Sequence, residues 1–321
     1  MAAAEAPRLA GMVVALQANF LEVELETFNP SSLVSWTGST DDEPLRLLCT
    51  RRTRLDHRGA AVHVGDRVWV EAIDWQERRA VVGDVEPRQS WINRPPVANV
   101  TAVVVALAVK QPCFDADQAS RFLLSAEQTG VDVHLILTKR DLITSDQLEQ
   151  QLVRLRGWGY RPMAVSVQTG EGLGALKNKL SSTRLAVFCG PSGVGKTSLL
   201  NQLLPQLSLR VGAVSGRLKR GRHTTRHVEL FRLCEGSLVA DTPGFNRPEL
   251  PADLRKLAVL FPELDGQLED YPCRFRDCFH RDEPGCGVDK SWERYPIYKR
   301  FLEEMECLTR SSRGGSGSGL L

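Results

Sequence analysis

The chain places the tetrapeptide Thr138-Lys139-Arg140-Asp141 ahead of a glycine-rich phosphate loop, Gly190-Pro191-Ser192-Gly193-Val194-Gly195-Lys196-Thr197. In α/β nucleotide-binding domains that carry both signatures, the phosphate loop ordinarily opens the domain and the base-reading tetrapeptide follows near its far end. Here the order is rotated. Both motifs belong at the carboxyl edge of one parallel sheet, where such folds bind ligands. The chain must therefore build that sheet from a different entry point and carry its remaining domains on the displaced ends.

Apolar runs bear this out. Thr101 to Val109, Val133 to Thr138, Met163 to Val167 and Leu185 to Cys189 are continuous, as strands covered on both faces require. Amphipathic stretches, Asp115 to Thr129 and Ser145 to Arg156, lie between them, with Ser145 or Asp146 as the expected N-cap. Val228 to Leu233 and Ser237 to Asp241 add two strands. The pattern predicts a doubly wound α/β P-loop domain.

At 321 residues the chain exceeds one ordinary domain. Ahead of the α/β pattern, five short β-rich runs (Gly11 to Ala18, Phe20 to Thr27, Leu45 to Arg51, Arg67 to Trp75 and Arg78 to Val85) predict an all-β oligonucleotide-binding (OB-fold) barrel. Pro87 to Pro96 reads as a linker. After Gly244 come a helical stretch from Leu254 to Leu260, a cysteine and histidine loop, and a charged amphipathic helix from Ser291 to Leu308. The expected divisions are a barrel over 1–90, the permuted nucleotide domain over 91–250, a mostly helical metal-binding domain over 251–310, and a disordered Gly/Ser tail over 311–321.

A net charge of +2 gives no global polyanion signal, so any nucleic-acid surface must be local. Arg51, Arg52, Arg54 and Arg58 form one basic cluster in the barrel, read equally well as phosphate contacts or as a solvated face. The N-terminus lacks a signal-peptide pattern, and no run approaches the roughly 20 apolar residues of a membrane span. A soluble cytoplasmic protein without membrane partners is expected.

The phosphate loop follows an apolar strand and opens a helix, the context its chemistry needs. Backbone N–H groups from Gly193 to Thr197 can cradle the β-phosphate, Lys196 can bridge the β- and γ-phosphates, and the Thr197 hydroxyl can ligate magnesium, with Ser198 adjoining. Asp141 can accept hydrogen bonds from guanine N1 and N2, a pairing adenine does not offer. Ser166-Val167 closes the next strand and can present an N–H to guanine O6, or be a simple turn. Asp241-Thr242-Pro243-Gly244 ends another strand and suits a γ-phosphate sensor. These residues predict GTP and GDP as ligands and GTP hydrolysis as the reaction. A P-loop ATPase or small-molecule kinase, and an RNA-binding module that merely holds nucleotide, stay open.

Ser208 to Val228 is rich in arginine and lysine before its last residues, and Thr224 or Thr225 can supply a second magnesium hydroxyl; a solvated basic loop is the plainer reading. Phe245 stands where many GTPases have a water-orienting glutamine. An apolar ring cannot orient water, which leaves His223 as the nearest polar candidate, or as an ordinary phosphate contact. Cys273, Cys278, His280 and Cys286 supply three thiolates and an imidazole within one loop. Four protein ligands fill a tetrahedral zinc shell, so the metal would be structural; a local disulfide or unpaired thiols are the alternatives.

With these residues the chain resembles the small-ribosomal-subunit-dependent GTPase A family, also called RsgA or YjeQ. The likeness spans the barrel with Val64-Gly65-Asp66-Arg67-Val68, the linker, the permuted motifs and the Cys/Cys/His/Cys spacing. It implies a circularly permuted GTPase with an OB-fold in front and a zinc domain behind. It further implies a monomer acting in late maturation of the small ribosomal subunit, binding the subunit and its rRNA and strongly stimulated by it. The family's switch motif falls on Gly221-Arg222-His223-Thr224-Thr225, implying hydrolysis through His223 and magnesium binding by Thr225. Thr138 stands where asparagine is usual and Val167 where alanine is usual. The rotated order also suggests that γ-phosphate loss at Gly244 and Phe245 shifts the C-terminal domain.

Overall fold

The structure, a computed structural model, describes residues 8–17, 20–26, 45–52, 61–94, 96–205, 228–241 and 248–314. Arg54, Arg58, His223, Thr224, Thr225, the turn from Thr242 through Gly244 to Phe245, and residues 315–321 of the tail lie outside them. Two compact units interleave along the chain: Met1–Ala102, Lys177–Phe188 and Leu200–Phe245 form one, and Val103–Leu176, Cys189–Leu199 and Asn246–Leu321 the other.

In the first unit, β1 (Leu9–Gln17), β2 (Phe20–Leu25), β3 (Arg46–Arg51), β4 (Arg67–Asp74) and β5 (Arg79–Val85) match the expected strands. Their order, β1-β2-β3-β5-β4 with β4 pairing back to β1, closes a five-stranded barrel of the OB kind. Every second residue points inward, so Leu21, Val23, Leu47, Cys49, Val68, Val70 and Val82 pack one core. A register shift between Val13 and Ala15 bends β1. The N-terminal half of β1 pairs with β4, and Ala15 pairs instead with Glu229 of β12 (Glu229–Cys234). Strand β12 runs antiparallel to β13 (Ser237–Asp241), which is parallel to β11 (Leu185–Cys189).

The expected linker is more ordered than its prolines suggest. β6 (Trp91–Asn93) and β7 (Pro96–Ala98) form an antiparallel ribbon, because Ile92 and Val97 are apolar partners that bury together. The ribbon is fastened to the barrel. Asp66 is fully buried and accepts from Arg88 Nε at 2.7 Å, and Asn99 Nδ2 donates to the Gly65 carbonyl at 2.9 Å. Gly65 has φ +86°, and a Cβ there would lie 2.1 Å from the Ala98 carbonyl oxygen, so only glycine fits.

In the second unit, β8 (Ala102–Ala108) is buried at every residue and lies beside β9 (Asp132–Thr138), which is parallel to β10 (Met163–Ala164). Helix α1 (Ala116–Glu127) is capped by Asp115, whose carboxylate accepts from the backbone of Asp117 and Gln118. Helix α2 spans Ser145–Gly157, and its N-cap is Thr144 rather than Ser145 or Asp146. Thr144 wins because Gln147 completes a reciprocal capping box with it. Helix α3 covers Leu173–Ser181 and α4 covers Lys196–Leu203.

The stretch expected as one helix near Leu254 is two 3-10 turns, Leu254–Lys256 and Ala258–Leu260, followed by α5 (Pro262–Asp270). Helix α6 (Tyr295–Gly314) begins four residues later than expected, with Pro296 in the first turn that suits it. It runs past Leu308 into the stretch expected as tail. Phe261, Leu264, Tyr298, Phe301 and Leu302 form its core, together with Leu124 of α1.

Candidate nucleotide site and metal centre

Gly190 leaves β11 with φ +141°, and a Cβ there would lie 2.1 Å from the Ala106 carbonyl oxygen of β8. Gly193 and Gly195 also hold positive φ, so the loop turns without side-chain obstruction. Lys196 opens α4 and arches back over the loop, with Nζ donating to the carbonyls of Gly190 at 2.6 Å and Pro191 at 2.8 Å. Thr197 and Ser198 are exposed on the first turn of the helix, and Val194 is buried beneath the loop.

The tetrapeptide ends β9 and is tied to that loop. Thr138 is 3% exposed; its hydroxyl donates to the Val194 carbonyl at 2.6 Å and lies 3.2 Å from that of Leu107. Lys139, at φ +59°, donates from Nζ to the Gly193 carbonyl at 2.7 Å and also to that of Gln111. Asp141 is exposed and accepts from the buried Ser166 hydroxyl at 2.5 Å. Arg140 pairs with Glu171 at 2.7 Å, and the Ser166 N–H donates to the Glu171 carbonyl at 2.9 Å. Val167 follows, half-buried, on the same turn.

One constellation therefore gathers Thr138 to Asp141, Ser166, Val167 and the phosphate loop. A carboxylate aimed by a serine, beside a glycine-rich loop that opens a helix, suits a base with adjacent N–H donors joined to a polyphosphate. Asp241 ends β13 in the other unit. Gln111 is a contributor that motif reading missed. It carried no motif signal, since it acts through its backbone carbonyl alone.

In the C-terminal loop, the ligand atoms of Cys273, Cys278, His280 and Cys286 lie within 4.8 Å of one another. His280 Nδ1 is 3.4 Å from the Cys273 sulfur and 3.8 Å from that of Cys286. The Cys273 and Cys286 sulfurs are 4.0 Å apart, twice a disulfide bond, and all eight cysteines are free thiols. Backbone N–H groups of Gly287 and His280 point at the Cys273 and Cys278 sulfurs, the arrangement that steadies ligating thiolates. Burial lowers the His280 pKa, which favours the neutral imidazole a metal requires. The donor set fits a closed tetrahedral ion. Tyr295 and Tyr298 hydroxyls hold the carbonyls of His280 and Phe279, mounting the knuckle on α6.

Of the barrel's basic cluster, Arg51 is exposed, while Arg52 is paired at 2.5 Å with Glu71 and so offers less net charge. Among the described residues, no helix is long and apolar enough to cross a membrane.

Residues 85–251 match the family described as RsgA GTPase. A small ribosomal subunit biogenesis GTPase RsgA of Prochlorococcus marinus (strain MIT 9303) is 98% identical over the whole of both chains. One of Synechococcus sp. (strain CC9311) is 63% identical over 98% of this chain and all of its own. Among solved structures, YjeQ from Thermotoga maritima is similar with a TM-score of 0.73 at 26% identity, covering 94% of this chain and 99% of its own. YloQ, described as a circularly permuted GTPase, reaches a TM-score of 0.74 at 27% identity, covering 94% and 96%.

Proposed function

The chain belongs to the RsgA GTPase family, and on that premise we propose that it hydrolyses GTP during late maturation of the small ribosomal subunit, docking on the subunit and its rRNA. The observation that carries this reading is the clasp between the base-reading strand and the phosphate loop. Thr138 and Lys139 hold the carbonyls of Val194 and Gly193, so a guanine on Asp141 and phosphates over Gly193 to Thr197 are presented as one ligand.

In this assignment Asp141 selects guanine, Ser166 aims the Asp141 carboxylate, and the turn at Ser166-Val167 presents a backbone N–H to guanine O6. Lys196 bridges the phosphates once nucleotide draws it from the loop carbonyls. Thr197 and Thr225 hold magnesium, which neutralises phosphate charge when bound. Asp241 and Gly244 sense the γ-phosphate, and His223 positions or deprotonates the attacking water. Cys273, Cys278, His280 and Cys286 hold one zinc ion that replaces the core so short a loop lacks.

The domains we assign are a barrel at 1–90, the permuted GTPase at 91–250, the zinc domain at 251–310 and a tail at 311–321, in a cytoplasmic monomer. Phe245 gives no help to water, so hydrolysis is slow until the subunit engages the protein. The test compares GTP and ATP turnover with and without purified small subunits. GTP turnover that rises strongly with subunits supports the assignment; equal use of ATP, or no response to subunits, overturns it.

A further inference from the structure

Two sets of ion pairs, one centred on the buried Glu24 and one on the buried Arg294, fasten the outer domains, and they attach to different parts of the GTPase. In the first unit, Glu24 of β2 is 3% exposed and sits between two arginines. Arg46 of β3 donates from Nε to Glu24 Oε2 at 3.1 Å and from Nη1 to Glu22 at 2.9 Å. Arg232 of β12 donates to Glu24 Oε1 from Nε at 3.0 Å and from Nη2 at 2.5 Å. Arg46 also reaches the Leu230 carbonyl of β12 at 3.4 Å. With the Ala15 to Glu229 pairing, the barrel and the β12–β13 hairpin form one continuous sheet locked by an ion triad. The planar guanidinium fork fixes register as well as distance. Sliding β12 along the barrel would take a partner from a buried carboxylate, a change strongly disfavoured in low dielectric.

In the second unit, Arg294 is fully buried, paired with Glu263 and stacked over Trp158 and Phe261. Glu293 accepts from Trp158 Nε1 at 2.9 Å and pairs with Arg154 at 2.5 Å. The zinc domain is thereby secured to α2 and its cap, the helix that follows the base-reading tetrapeptide. Guanine is the same in GTP and GDP, so contacts at that end carry no record of the γ-phosphate. The hairpin differs: β13 ends on Asp241, the first residue of the assigned γ-phosphate sensor.

We infer that nucleotide state is transmitted to the barrel rather than to the zinc domain, with Glu24 and Arg232 as positioning residues that make the barrel follow the β12–β13 hairpin. The inference rests on the GTPase assignment but not on the ribosomal one, and it names the barrel as the domain whose RNA contacts change between GTP and GDP.

Hydrogen–deuterium exchange on the full chain, loaded with GDP or a non-hydrolysable GTP analogue, tests it. Amides of β1 to β3 should differ at least about fivefold in exchange between the two states. Arg232→Met leaves Glu24 paired with Arg46, so GDP-state protection of the barrel should stay as in the wild type. Its barrel response to the analogue should vanish while that of β12 and β13 persists, and Arg232→Lys, which keeps the charge but not the planar fork, should restore it only in part. The inference is overturned by an unresponsive wild-type barrel, by a response that survives Arg232→Met, by a response seated in the zinc domain, or by loss of GDP-state barrel protection in Arg232→Met. Subunits are absent from this experiment, so the ribosomal assignment stands or falls separately on subunit-stimulated turnover.

Discussion

At the scale of single residues, Thr138 separates two jobs that an asparagine at this position would combine. Its hydroxyl has one proton, spent on the Val194 carbonyl at 2.6 Å, and no amide remains for the base. Thr138→Val should leave a buried carbonyl unpaired at about 1–3 kcal/mol, and so weaken GDP binding roughly tenfold or more, while Thr138→Ser keeps it. Calorimetric titration of both variants checks this, and equal weakening by serine would show that the methyl, not the hydroxyl, matters. Asp141→Asn exchanges a double acceptor for a mixed group. GTP affinity should fall at least about tenfold and xanthosine triphosphate should become the better ligand. Unchanged GTP preference in competition binding would remove Asp141 from base reading. The tetrapeptide's place beside the phosphate loop was legible in the sequence because both motifs are short stretches at strand ends. Gln111 was not, because a carbonyl has no side-chain signature.

At the scale of elements, the C-terminal knuckle is a loop that gathers four potential metal ligands. Its four donors converge within 4.8 Å, whereas Tyr271 and Phe275 beside them stay exposed. Removing the metal should unfold residues from Tyr271 to Val288, seen as lost amide protection there, with GTP binding retained. A knuckle that keeps its protection after chelation would show that packing on α6 suffices.

The barrel has its own pH signature. The hydrogen bond from Arg67, joined by Arg184, holds the Glu26 carboxyl below its ordinary 4.5 against the opposing effect of burial. A depressed carboxylate stabilises the fold above that ordinary value, and the contribution disappears as pH falls through the lowered one. Denaturation midpoints should therefore drop below about pH 4.5, and less steeply in Arg67→Met. The β6–β7 ribbon and the Thr144 cap lay hidden in the sequence for related reasons. Both depend on a partner, Val97 for Ile92 and Gln147 for Thr144, that propensity at one position does not reveal.

At the scale of the whole molecule, the proposed reaction assigns the attacking water to His223. His223→Ala should keep nucleotide binding yet lose about 10²–10⁴-fold in subunit-stimulated turnover, the range of a positioned general base. Stimulated turnover that persists in this variant would assign the water to another group.

The order of motifs, the thiolate and imidazole spacing and the five alternating strands determined family, nucleotide class and domain sequence, because each resides in short stretches whose residue types alone state their chemistry. Tertiary structure decided which of those stretches act together. Thr138 meets Val194 across 56 residues, Glu24 meets Arg232 across 208, and Arg294 meets Trp158 across 136. Such pairings depend on how sheets and helices bring distant backbone together, and on the cost of leaving a buried polar group without a partner.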